Sequence, residues 1–236
     1  MGKSLVAAKL NLRNIGAAYL ITAVTVGCMM VQDIVFLILK MFDINPNGPE
    51  NATISFGNYF FLLLVFSAIF IPSRNFHKMM NLGGKRADFF KGCAINHAIM
   101  AAAISLISII LYHTADKFMI SALYGGGTLD VVYWFGWIGN GSVVAFFQQF
   151  AFLLLLAVVI HTLTAAQGKW YGWAADIVIV AVIAVFIPIP ALRPVLIWFF
   201  NMVIFHQYAA VQISFCLLLA CAVYALNRPI FARKAI

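Results

Sequence analysis

Six apolar stretches follow one another along this chain, at 15–39, 56–71, 92–112, 143–166, 174–190 and 208–226. Crossing about 30 Å of hydrocarbon takes roughly 20 mostly apolar residues in a helix, and these runs come close to that length each time. With 64% hydrophobic residues, 9% charged residues and 22 Phe among 236, the chain holds more apolar surface than one soluble core of this size buries. The expected fold is an all-α membrane protein. The connections are too short for a soluble domain, so 1–236 reads as a single transmembrane domain, and any energy-transducing domain must come from another chain.

Charge placement sets the expected orientation, because Lys and Arg in short loops stay on the cytoplasmic side. With the N-terminus inside, twelve of the fifteen Lys and Arg fall on that side, leaving Lys40, Lys117 and Arg193 outside. Both termini are then cytoplasmic, and the net charge of +8 reflects topology, scattered over four short segments rather than gathered for nucleic acid. The start of the chain does not read as a removable signal: Thr25-Val26-Gly27-Cys28 lacks a Leu-like first residue for lipoprotein cleavage, and the apolar run is too long. Val6 stands where a myristoylation signal wants Ser or Thr. Gly2-Lys3-Ser4 has no upstream glycine loop to cradle a phosphate. Cys28, Cys93, Cys216 and Cys221 have no C-x-x-C spacing and read as core residues. Asn51-Ala52-Thr53 and Asn140-Gly141-Ser142 match glycosylation sequons on the outer side.

Several segments depart from plain spans. Residues 1–14 suit an interfacial helix, with Leu5, Ala8 and Leu12 on one side and Lys3, Asn11 and Asn14 opposite. In 188–205, Pro188, Pro190 and Pro194 end the fifth span, and the apolar remainder is half a crossing long. A re-entrant element is expected there, its broken backbone satisfied by protein or water. Between 118 and 142, Tyr133, Trp134, Phe135 and Trp137 read as an interfacial aromatic belt.

The fourth departure carries the most function. Residues 74–84 lie between two spans and concentrate charge in an otherwise apolar chain. On a helical period Phe76, Met79 and Met80 fall together with Gly83 next in line, while Arg74, Lys78 and Asn81 point the other way. Gly83-Gly84 then ends the helix. The expectation is a short amphipathic helix on the inner face that offers a methionine-rich surface to a partner. A basic loop that only fixes orientation is the alternative.

In Leu82-Gly83-Gly84-Lys85-Arg86-Ala87-Asp88-Phe89-Phe90-Lys91-Gly92 and Gln167-Gly168-Lys169-Trp170-Tyr171-Gly172, the chain resembles type-two permease subunits of ATP-binding-cassette exporters. The Gly83-Gly84 pair departs from that family's single Gly followed by a small polar residue. The resemblance implies a coupling helix at 74–84, docked on an ATPase through Arg74, Phe76, Lys78, Met79, Met80, Gly83, Gly84, Lys85 and Arg86. Phe76, Met79 and Met80 would face the groove, while Lys78, Lys85 and Arg86 would meet ATPase carboxylates or lipid phosphates. It also implies a second permease subunit, as homodimer or heterodimer, in a bacterial plasma membrane. No cofactor is expected in this chain, since ATP and Mg would be bound by the partner ATPase. The transported substrate would be a peptide, a lipid or a drug-like molecule.

Polar residues inside spans carry two readings each. A carboxylate costs about 2.5 to 3.5 kcal/mol at a bilayer centre, so Asp33, beside Gln32, should face protein or water. Gln32 and Asp33 either line a translocation path or Asp33 pairs with a group such as Lys40. Asp176 reads as a helix-terminal residue, and His97, His161 and His206 as isolated core or interfacial histidines. His113 and Asp116 lack a third metal ligand. A serine-histidine dyad of Ser142 and His206 would make the chain an intramembrane protease, but Ser142 lies at the mouth of its span. A membrane-anchored assembly or immunity protein is the other alternative.

Overall fold

The computed structural model describes residues 3–42, 54–119, 129–167 and 169–233. The sequon at 51–53, Gly125-Gly126-Gly127 and the Lys40 side chain lie outside the described residues. The main helices among the described residues are α1 (Lys3–Arg13), α2 (Gly16–Met41), α3 (Phe56–Asn81), α4 (Arg86–Leu111), α5 (Ser142–Ala166), α6 (Trp170–Phe186), α7 (Arg193–Phe200), α8 (Ala209–Ala225) and α9 (Asn227–Arg233). Among the described residues there is no strand, only one isolated bridge between Ile54 and Leu129. Five helical stretches are long and apolar enough to cross a membrane: Gly16–Phe36, Phe56–Asn81, Arg86–Asp116, Ser142–Ala166 and Ala209–Ala232. Helix α6 has 17 residues, at the lower limit for a crossing.

Helix α5 is the hub, with α3, α4 and α8 packed around it. Its buried face mixes small and polar residues, Ala145, Gln148, Ala151, Ala157, His161 and Thr162, which let neighbouring backbones approach and give them hydrogen-bond partners. Gln148 Nε2 donates to Gln212 Oε1 of α8 at 2.6 Å, and Asn227 Nδ2 of α9 donates to Thr162 Oγ1 at 2.8 Å.

Helix α1 is built into the bundle. It packs on the start of α4, where Gly92 has no room for a side chain: a Cβ there would sit 2.9 Å from Ala7 Cβ and 3.1 Å from the Ala8 nitrogen. The inward face is Ala7, Ala8 and Asn11, so the expected polar position of Asn11 is corrected. Asn11 turns in because Cys93 Sγ accepts from its Nδ2 at 3.7 Å and its carbonyl accepts from Asn75 Nδ2 at 3.3 Å. Leu5, from the same apolar side as Ala8, is exposed.

The proline-rich segment after α6 leads into α7, which continues as a wide π turn at Asn201–Phe205 and reverses into α8. Trp198 and Phe199 set their rings on Phe215 of α8, at centroid distances of 6.2 and 6.5 Å. A π turn leaves carbonyls without their usual partners. Here Val203 O accepts from Gln212 Nε2 at 2.9 Å and Ile204 O accepts from Trp137 Nε1 at 2.9 Å.

The two ends of the bundle differ in composition. One end, the basic end, gathers α1, the end of α3, the start of α4 and α9, with most of the basic residues. At the opposite end Ser55 Oγ donates to Asp116 Oδ2, and Asn58 Nδ2 donates to Leu129 O at 2.7 Å. Asp130 caps the turn at Val131–Trp134 by accepting from Val132 N at 2.7 Å. Burial pushes the Asp130 carboxyl up to about 6, the Val132 amide works against that, and the nearby Asp116 charge adds to it.

Candidate coupling surface

The residues expected to form a separate short helix are helical, but α3 reaches them without a break. Pro72 removes one backbone donor and would clash in a regular α-helix; the chain accommodates it by widening into a π turn at Ile71–Asn75 and resuming as Phe76–Asn81. The segment is therefore the end of a 26-residue helix rather than an independent element. It stops at the two glycines. Gly83 takes φ +78°, its N–H bonds Met80 O at 3.0 Å, and Gly84 N bonds Met79 O at 2.9 Å, a Schellman ending. Gly84 has no room for a Cβ, which would lie 2.7 Å from Met79 Cγ.

The orientation of this last turn corrects the expected partner-facing side. Phe76 is fully buried, Met80 nearly so, and Met79 half-buried. The reason is a partner within the chain: Phe76 meets Phe89 of α4 at 5.4 Å and Phe231 of α9 at 5.3 Å, and those two rings meet each other at 5.4 Å. Aromatic triangles of this kind anchor strongly. The exposed side carries Arg74, His77, Lys78, Asn81 and Leu82, followed by Lys85 and Gly83, with Leu82 81% exposed. Arg74 lies over the Phe70 ring at 5.0 Å. Arg86 turns away from this surface, and its Nη1 donates to Phe231 O at 3.1 Å and to Ala232 O.

The remaining sequence-derived candidates fall apart from one another. Gln32 is exposed and Asp33 is buried on α2. His97 and His161, read as isolated, meet edge to face at 4.7 Å, both fully buried between α4 and α5. His161 also lies 5.6 Å from the Phe231 ring. Sequence spacing gave no signal for this pair, because the two lie on different helices. The Ser142–His206 dyad does not form: Ser142 Oγ pairs with His113 Nε2 at 2.7 Å, and His206 Nδ1 accepts from Tyr208 N at 3.1 Å. Asp176 accepts from Gln167 Nε2 at 2.6 Å across the turn into α6. No group of three or more metal-ligating side chains occurs among the described residues.

The last turn of α3 is thus two-sided: a basic, exposed tip whose reverse side packs on α4 and α9. Comparisons with family models, with curated proteins and with solved structures return no match to this chain.

Proposed function

We propose that this chain is the membrane-spanning permease subunit of an ATP-driven exporter, of the type-two kind, and that the end of α3 couples it to a separate ATPase subunit. The observation that carries the proposal is the two-sided last turn of α3. A push on the outer side, at Lys78 and Leu82, cannot be absorbed locally, because Phe76 on the inner side is wedged between Phe89 and Phe231. Movement is passed to α4 and α9, and through the contact of Phe231 with His161 to the hub helix α5. Packed aromatic contacts of this kind shift between discrete arrangements rather than deform continuously.

In this reading the basic end faces the cytoplasm with both termini, in a bacterial plasma membrane, and α6 is the fifth of six spans. Helix α7 with its π turn dips from the outer side and returns. The partner ATPase binds ATP and Mg, and its closure rocks the bundle between inward and outward access. A second permease subunit, identical or related, completes the pathway, with Gln32 and Asp33 on a polar part of α2 that borders it. The cargo is apolar or amphipathic, of the peptide, lipid or drug-like kind, since the spans carry no stripe of charge. Leu82 and the cations around it meet an ATPase groove that is apolar at its floor and acidic at its rim.

The test is purification of the chain in mild detergent from its native membrane. A soluble subunit of about 25 to 35 kDa, the size of a one- to two-domain chain, should co-elute in fixed ratio and hydrolyse ATP. A preparation without such a subunit, from cells in which the chain is functional, would instead support a membrane-anchored assembly or immunity protein.

A further inference from the structure

A second feature of the basic end points to a lipid. Helices α4 and α8 both pack mainly on α5 and touch each other at Phe90 and Tyr224, which leaves a cleft between them floored by Leu154 and Val158. The cleft contains two adjoining spaces. The lower one, of about 500 Å³, is bordered by Arg86, Lys91 and Arg228 around Ala87, Phe90 and Phe231. The upper one, of about 320 Å³, runs along Ala94 and Ala98 of α4 and Ala220 and Cys221 of α8. Phe90 belongs to both, and its ring, stacked 4.6 Å from Tyr224, forms the sill between them. No acidic side chain lines either space among the described residues.

We propose that this cleft binds one anionic phospholipid from the leaflet at the basic end, its phosphate among Lys91, Arg228 and Arg86 and one acyl chain in the groove above. Three things select that occupant. The charge is all at one end, and basic pockets between membrane helices favour anionic headgroups. Arg86, Phe90, Ala94 and Ala98 recur every fourth residue, so they form one stripe on α4. At 1.5 Å per residue the stripe is about 18 Å long, close to the roughly 15 Å thickness of one leaflet's hydrocarbon. Small side chains along the upper part keep the groove open, whereas a soluble anion would leave that apolar space unfilled. This site stands independently of the coupling reading, because the cleft lies on the bundle and not on the exposed side of the last turn of α3.

The experiment is thermal unfolding of the full chain in nonionic detergent, titrated with phosphatidylglycerol, phosphatidylcholine or glycerol 3-phosphate. Phosphatidylglycerol should raise the midpoint well above phosphatidylcholine, and glycerol 3-phosphate should have no effect. Replacing Lys91→Gln and Arg228→Gln together should weaken phosphatidylglycerol binding roughly fivefold for each cation removed. Should the double variant fail to fold, Lys91→Gln alone, at an exposed position, should still show its share. Ala98→Leu should weaken both lipids by blocking the groove. Equal stabilisation by both lipids, an unchanged affinity in the charge variants, or protection by glycerol 3-phosphate as strong as by phosphatidylglycerol would each overturn the proposal.

Discussion

Helices α4 and α6 are both apolar, yet they are used differently. In an 18-residue apolar window of α4, as in one of α5, 44% of residues are buried inside the chain, against 11% for α2. In α6 only Gly172 is buried. The difference lies in composition beyond hydropathy. Helix α4 presents Gly92, Cys93, Asn96, Ala101 and Ser105 to its neighbours, whereas α6 shows Ile177, Val178, Val180 and Ile183 outward. Lipid is as apolar as leucine, so apolarity places a helix in the bilayer, and small and polar residues decide which helices pack together. The outward faces of α2 and α6 stay exposed in the chain.

The comparison breaks if helices of the packed group tolerate what helices of the open group tolerate. The largest effect is expected at the anchor of the last turn of α3. Phe76→Ala empties the aromatic triangle and should cost about 3 to 5 kcal/mol of stability, while Val178→Ala on the open face of α6 should cost under about 0.5 kcal/mol. Thermal unfolding of both variants in one detergent measures the contrast. Equal losses would mean that α6 is buried in a way the isolated chain does not have.

At the opposite end of the bundle, Asp130 should make stability depend on pH. Its carboxyl is raised to about 6 in the folded chain, so the native state binds more protons than the unfolded state between pH 4 and 6. Stability is fully present below about pH 4 and declines as pH rises through 6, by about 2 to 3 kcal/mol at most. Asp130→Asn should flatten that profile, as unfolding at stepped pH will show. A smaller effect is expected at the seam of α1 and α4. Gly92→Ala forces a Cβ against Ala7 and should cost about 1 to 3 kcal/mol, with increased proteolysis of residues 3–13 as the separate sign that α1 has lifted.

What could be read from the sequence was local. The Gly83-Gly84 stop follows from glycine's freedom at positive φ, and the prolines of 188–194 visibly end α6. What escaped depends on partners far along the chain. Asn11 belongs to the polar side of its own helix until Cys93, 82 residues on, offers its sulfur. Phe76 looks like part of a free apolar face until Phe231, near the other end of the chain, stacks on it. His97 and His161 share no local pattern that would pair them. The π turn that absorbs Pro72 is likewise an outcome that sequence periodicity does not encode.

The central claim is that force from an ATPase enters through the exposed tip of α3, and Leu82→Asp tests it most directly. Leu82 is 81% exposed in this chain, so the variant should unfold at the same temperature as the wild type. Burying a leucine on docking is worth about 1.5 to 3 kcal/mol, so its affinity for the co-purified ATPase subunit should drop roughly tenfold or more. Binding of that subunit at undiminished affinity, with ATP hydrolysis still stimulated by the variant chain, would contradict the account.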